Sequence, residues 1–140
     1  MLRAAAAAVL LAVPALGAPT VLTVCPKAPH CVSSMDKDPR HAVAALAFTG
    51  DPAAAWSRLK EALASLPRTS VVEETPGYIH AVCVSMLLRF KDDLEFLLVP
   101  ESSRIELRSS SRVGYADMGV NRRRVERLRK EFRRRLSAHP

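Results

Sequence analysis

Between Arg108 and Arg124 the chain reads RSSSRVGYADMGVNRRR, the densest collection of chemically able side chains in the sequence. Arg108, Arg112 and Arg122 are planar donors that match a carboxylate or phosphate two bonds at a time. Ser109 and Ser111 add hydroxyls, Tyr115 a phenol, and Asp117 and Asn121 stand on either side of Gly119. Gly114 and Gly119 let the backbone take turns that other residues resist, or let a ligand or another chain approach closely. Asp92 and Asp93 supply carboxylates on an earlier turn that a fold can bring alongside. One chemistry for this set is capture of an anionic group or partner, with the start of the last helix contributing its N–H groups. A second is a loop locked by its own salt bridges. A third is hydrolysis.

Hydrolysis needs a nucleophile beside a base. The only triad-like set is Ser85 with His80 and Asp92 or Asp93. His80 and Ser85 are an odd number of positions apart on one expected strand, so they point to opposite faces. Asp92, Asp93 and Glu95 make an incomplete metal set, because strand alternation turns one of them away. The sequence has no glycine-rich phosphate loop, zinc spacing or dinucleotide fingerprint. No catalytic residue, no metal and no cofactor is therefore assigned, and the enzyme reading ranks below the other two.

The elements that must position these residues can be read from periodicity and turn chemistry. His41 to Phe48 is a short apolar run ending at Thr49-Gly50 and predicts a first strand. Asp51-Pro52 starts a helix as N-cap and first-turn proline. Trp56, Leu59, Leu63 and Leu66 repeat at helical spacing, and Pro67 ends the helix. Thr69 to Glu74 and Tyr78 to Phe90 predict two strands around a Thr75-Pro76-Gly77 turn. Lys91-Asp92-Asp93 reads as the next turn, Leu94 to Val99 as a strand, Pro100 to Ser103 as a turn, and Arg104 to Ser109 as a strand. His80 falls among apolar neighbours and reads as a core or rim histidine; Cys83 reads as a small core residue. The chain turns helical at Val120 or Asn121, with Asn121 as N-cap and a narrow stripe of Val125, Leu128, Phe132 and Leu136. Together these predict a single α+β domain, an antiparallel sheet of about five strands packed by two helices.

Charge is concentrated at one end. From residue 121 to 140 there are nine Lys/Arg and two Asp/Glu, which leaves 12 basic and 12 acidic residues in the rest of the chain. The entire net charge of +7 thus belongs to the last helix and its run-in. Three arginines directly after a cap oppose the helix dipole and call for partners: Asp92, Asp93, Glu95 or Asp117, or an external anion. Such a surplus favours an anionic small molecule, a lipid headgroup or an acidic face of an envelope protein, with peripheral membrane contact. Nucleic acid ranks low, because the N-terminus predicts export. Arg3, the apolar run Ala4 to Val13, Pro14 and Ala15-Leu16-Gly17 follow the order of a secretory signal peptide, cut before Ala18. That gives a signal peptide at 1–17, an extended Cys/Pro-rich segment at 18–40, the α+β domain at 41–136 and a tail at 137–140, in a periplasmic or extracellular protein whose oligomeric state the sequence leaves open. In an oxidising compartment Cys25 and Cys31, around a proline-stiffened five-residue loop, suit a disulfide. Free thiols, or a metal site with His30, are the competing readings.

Three stretches, CPKAPHCVSS (25–34), YIHAVCVSMLLRFKDDLEF (78–96) and IELRSSSRVGYADMGVNRRRVERLR (105–129), resemble the family of exported bacterial and plastid proteins called domain of unknown function, number 1499. The resemblance runs from Cys25 to about Phe132 and implies a small α+β domain without an established activity. It points to Cys25, Cys31 and Ser34, then to His80, Ser85, Asp92, Asp93 and Glu95. It points last to Arg108, Ser109, Ser111, Arg112, Tyr115, Asp117, Asn121 and Arg122. His30 and Ala116 depart from the family pattern, where Asn and Ser are usual, and neither departure removes a charge.

Overall fold

A computed structural model describes residues 21–114 and 117–139. The expected signal peptide at 1–17 and the candidate Tyr115 lie outside the described residues. The order is β1 (Cys31–Ser33), β2 (Leu46–Ala47), α1 (Pro52–Ser65), β3 (Thr69–Thr75), β4 (Tyr78–Val84), β5 (Lys91–Val99), a 3-10 turn (Pro100–Ser102), β6 (Arg104–Ser111) and α2 (Val120–Ala138). The strands form one antiparallel sheet in the order β1-β6-β5-β4-β3, and β2 pairs with β6 beyond β1. The expected α+β architecture is therefore the one observed.

Both helices lie against one face of the sheet and against each other. Strand alternation sends Ile79, Ala81 and Cys83 of β4, Leu94 and Phe96 of β5, and Ile105 and Leu107 of β6 to that face. Helix α1 meets them with Ala55, Trp56, Leu59, Ala62 and Leu63, the stripe that its 3.6-residue period dictates. Asp51 caps α1 by accepting from the Ala53 N–H at 3.2 Å, and the helix ends at Leu66, in front of Pro67. Each large side chain of the stripe contributes about 1.5–3 kcal/mol by leaving water. Helix α2 adds Val125, Leu128 and Phe132, with Leu136 at the margin.

Among the described residues the outer face of the sheet carries no helix, and cross-strand polar pairs lie on it beside Val82, Leu97 and Val99. The edges are blunted. β1 has three residues, and β3 is broken by a register shift between Val71 and Glu73 and carries Glu73 and Glu74.

Several expectations are corrected. The strand at 41–48 shrinks to Leu46–Ala47, with one bridge at Ala42 to Ser33, because side chains satisfy its carbonyls instead of a ladder. Arg122 donates to the carbonyls of Ala42 (3.0 Å) and Arg40 (3.2 Å). The buried Arg129 donates to those of Ala45 (2.8 Å) and Ala44 (2.5 Å). The extended segment at 18–40 instead yields β1. Strand β4 stops at Val84: Ser85 and Phe90 close a short loop, in which Arg89 takes the left-handed region at φ 57. Lys91-Asp92-Asp93 is ladder rather than turn. Asn121 is not the N-cap of α2; Gly119 is, and Asn121 sits inside the first turn. His80 faces the polar side of the sheet. The basic helix continues to Ala138, into the stretch expected as a tail. Cys25 and Cys31 form the disulfide, and Cys83 is a buried free thiol.

Candidate functional site

The sheet register sorts the candidate residues onto two faces. Asp92 pairs with Ser111, Asp93 with Ser110, Leu94 with Ser109 and Glu95 with Arg108. Alternation puts Asp92, Ser109 and Ser111 on the helix-covered face, and Asp93, Glu95 and Arg108 on the open one. The residues read from the sequence as one cluster are thus two.

On the helix side Asn121 is the hub. It is 0% exposed. Its Oδ1 accepts from Ser109 Oγ at 2.6 Å and from Arg124 at 2.9 Å. Its Nδ2 donates to Asp117 Oδ2 (2.8 Å), Ser111 Oγ (2.9 Å) and the His30 carbonyl (3.1 Å). Arg124 continues inward to Asp92 at 2.6 Å, with the two side chains only 10% and 5% exposed. That buried ion pair supplies one of the partners that arginines at a helix start require. Asp117 supplies the cap: its carboxylate accepts from the backbone N–H of Gly119 (2.8 Å) and of Asn121 (3.2 Å). Burial alone would push the Asp117 carboxyl up, but the Asn121 amide and these backbone donors outweigh it and hold it below the usual carboxylate range. Gly119 is needed where it stands. Its φ is 77°, in the left-handed region that strains any side chain, whereas the nearest atoms a Cβ would meet belong to the movable end of Arg123.

On the open side the groups pair across strands. Arg112 grips Asp93 with two bonds of 2.9 and 2.8 Å, and His80 Nε2 lies 2.7 Å from the same carboxylate. The Arg112 guanidinium, with His80 behind it, holds Asp93 below the usual range. Arg108 donates to Glu95 at 3.1 Å, and Tyr78 donates its hydroxyl to the other Glu95 oxygen at 3.0 Å. Burial, then the Glu95 carboxylate, push the Tyr78 hydroxyl far up. Arg108 Nε has no hydrogen-bond partner in the structure, but it is buried and out of a ligand's reach. Arg108, Arg112 and Arg122 do not converge on an open pocket: the first two hold carboxylates on the sheet and the third holds the 40–42 carbonyls. The helix N-terminus is likewise occupied, by Asp117.

What is open is a cavity of about 510 Å³ at the end of the sheet, between the 85–90 loop and residues Val113, Gly114, Asp117, Met118 and Val120. Met86, Leu87, Leu88, Phe90, Val113, Met118 and Val120 line its walls, and Ser85, Asp92, Ser111 and Asp117 are its polar positions. These apolar side chains are solvent-exposed, Leu87 and Met118 each at 85%. No group of three His, Cys, Asp or Glu side chains among the described residues is arranged to hold a metal. Ser85 Oγ accepts from the Phe90 N–H, and His80 is engaged with Asp93 on the other face.

A family model described as protein of unknown function, DUF1499, matches residues 21–132. The chain belongs to that family. No curated protein and no solved structure matches it. The match of this DUF1499 domain begins before the disulfide loop and ends at Phe132, so it takes in both polar clusters and the cavity.

Reasoning from the sequence missed the walls of that cavity. Met86, Leu87 and Leu88 read as strand because a short apolar run carries no period to separate strand from loop. It named Asp92 among the partners for the arginines that open α2, which Arg124 bears out, but it missed Arg129 as a buried arginine. The stripe signal was available, since Arg129 follows Leu128 on the inward side of α2.

Proposed function

We propose that this DUF1499 domain is a non-catalytic binding module, with the 85–90 loop and residues Val113, Gly114, Met118 and Val120 as its mouth and an apolar chain carrying a polar end as its ligand class. One observation carries the reading: seven large apolar side chains stand around a cavity of about 510 Å³ with polar groups at Asp92, Ser111 and Asp117. Ligand pockets commonly have this build, mostly apolar with a few placed polar groups. The polar groups belong to the buried Asn121 network, so their geometry is fixed before a ligand arrives. In this reading the 108–122 loop is a brace for the site, and its arginines serve the fold rather than an anion. The purely structural alternative draws on the same pairing of Arg108, Arg112 and Arg122, but it leaves the apolar walls without a task. For a hydrolase reading, His80 is engaged with Asp93 and Ser85 with the Phe90 N–H, and the Ser34 hydroxyl that donates to Glu106 at 2.5 Å is not among the residues that line the cavity.

The test is a fluorescence titration of the full chain with a dansylated long-chain fatty acid, followed by displacement with fatty acids, alcohols and amines. Val113→Trp, at an exposed wall position, fills the cavity without touching the Asn121 network. Saturable binding weakened by this substitution at least about tenfold, the scale of losing roughly 1.5 kcal/mol of apolar burial, supports the reading. Absence of saturable binding, or binding indifferent to Val113→Trp, refutes it.

A further inference from the structure

The rim of the cavity poses a question separate from its interior. Leu87 and Met118 are the most exposed large apolar side chains in the described structure, and they lie on different segments that meet at one mouth. Met86, Leu88, Phe90 and Val113 surround them, each at least 46% exposed. Single exposed apolar residues are ordinary, but a contiguous group from two loops marks an interaction surface.

The charge beside this rim is of one sign. A second depression shares Ser85, Met86 and Val120 with the cavity and is lined by Arg68, Arg123, Arg124 and Arg127. Arg124 is committed to Asp92, whereas Arg68 and Arg123 spend their guanidinium bonds on the neutral carbonyls of Val84 and Met118. Arg89 and Lys91 stand exposed in the 85–90 loop and directly after it. The only carboxylates lining the two depressions are Asp92, buried against Arg124, and Asp117, spent on the first turn of α2. Among the described residues the rim therefore presents apolar tips beside a collar of cations that no neighbouring carboxylate neutralises.

We infer that this end of the domain docks on an anionic lipid bilayer, with Leu87 and Met118 entering the acyl boundary and Arg68, Arg89, Lys91, Arg123 and Arg127 resting among the headgroups. Charge complementarity selects this occupant. An apolar protein partner fits the tips but not the unneutralised collar, and an acidic protein face fits the collar but not the tips. A bilayer surface offers both in layers, acyl chains beneath a plane of negative charge. No helix among the described residues is long and apolar enough to cross a membrane, so the contact is a peripheral one. Docking does not require the cavity to be filled.

The experiment uses the full chain and a Leu87→Trp variant, with vesicles of phosphatidylcholine alone or mixed with phosphatidylglycerol. The native indole, Trp56, is on the buried face of α1 and gives a constant background. The expected result is quenching of the new indole by acyl-brominated lipids in the mixed vesicles only, weakened by salt. Leu87→Ser with Met118→Ser is expected to lower partitioning at least about tenfold. Arg127→Glu, at an exposed position, is expected to lower it about fivefold or more, the scale of one cation at an anionic surface. Both variants carry the same residues 1–20, so loss of binding reports on the rim and not on the apolar N-terminal run. A circular-dichroism melt unchanged from the parent shows that the variants remain folded. Equal binding to neutral vesicles, no quenching at position 87, or partitioning untouched by the serine pair overturns the inference. Self-association that disappears in the serine pair also overturns it, in favour of a second copy of the chain. Fatty-acid titration of the parent chain separates the two readings: vesicle docking by a protein that binds no fatty acid leaves this inference standing and removes only the cavity reading.

Discussion

Asn121 shows what one buried amide can be asked to do. It bonds two serines of strand β6, the disulfide loop and the approach to its own helix through a single side chain with no exposed surface. Asn121→Ala removes one partner from each of these groups at once and leaves buried donors and acceptors unmatched. Leaving even one or two unsatisfied costs about 3 kcal/mol, and denaturant unfolding should show a loss of that order. A loss under 1 kcal/mol, roughly the net worth of one ordinary hydrogen bond, would mean that water repairs the gap. The Arg124–Asp92 pair beside it obeys a different rule. Truncating the arginine strands a buried carboxylate, so Arg124→Met should cost at least about 3 kcal/mol, while Arg124→Met with Asp92→Leu should recover much of it. At two carboxylates, one on each face, the effect is one of pH. Asp93, held down by Arg112, and Asp117, held down by Asn121 and the helix amides, both titrate below an ordinary carboxylate. A depressed folded-state value stabilises the fold above the unfolded value, near 4, and that contribution is lost as pH falls further. The melting temperature should therefore drop below about pH 4, and less steeply in Asp93→Asn. An unchanged acid slope in that variant would show that Asp93 contributes nothing to it.

At the scale of elements, the legible and the illegible divide by how far the cause lies along the chain. The start of α1 is local: Asp51 and Pro52 carry the cap and the first turn, and Trp56, Leu59 and Leu63 carry the face. The opposite orientations of Asp92 and Asp93 are local as well, because alternation alone separates neighbours. The segment at 41–48 is the contrary case. Its apolar run reads as a strand, yet Arg122 and Arg129, about eighty positions later, take the carbonyls of residues 40, 42, 44 and 45. No window of the sequence contains both halves of that contact. The same distance hid the role of Asn121, whose residue type suits a cap but whose amide faces β6 and the His30 carbonyl. The disulfide loop is the element on which this last contact depends. His30 directly precedes Cys31, and its carbonyl also accepts from the Ser111 N–H at 2.9 Å. Replacing both cysteines by serine should cost about 2 kcal/mol by the loop-closure relation for so short a loop. If the loop also braces the network, the Cys25→Ser, Cys31→Ser variant should show early hydrogen exchange at the Ser111 amide. Native protection at that amide would confine the bridge to a local role.

Taken whole, the molecule is firm at the sheet and open at one end of it. β5 is flanked along its length by β4 and β6, and its inner face lies under both helices. The 85–90 loop is held by the Ser85–Phe90 bonds and little else, and its apolar side chains face solvent. Opening free energies follow such differences in burial and hydrogen bonding. Amide exchange should therefore be slowest for Leu94, Phe96, Ile105 and Leu107, near the global unfolding limit, and fastest for Met86, Leu87 and Leu88. The contrast bears on function. A firm framework that leaves its apolar residues on its least anchored loop has little stability to gain from them, and their burial waits for something outside the chain. Adding an acyl ligand or anionic vesicles should slow exchange in the 85–90 and 113–120 segments and leave the sheet core unchanged, since only groups ordered by the contact gain protection. Protection spreading evenly over the sheet would instead indicate general stabilisation by mass action from a contact elsewhere. No change in either segment with either addition would leave the apolar mouth without the occupant that its side chains imply, and both binding readings would fall together.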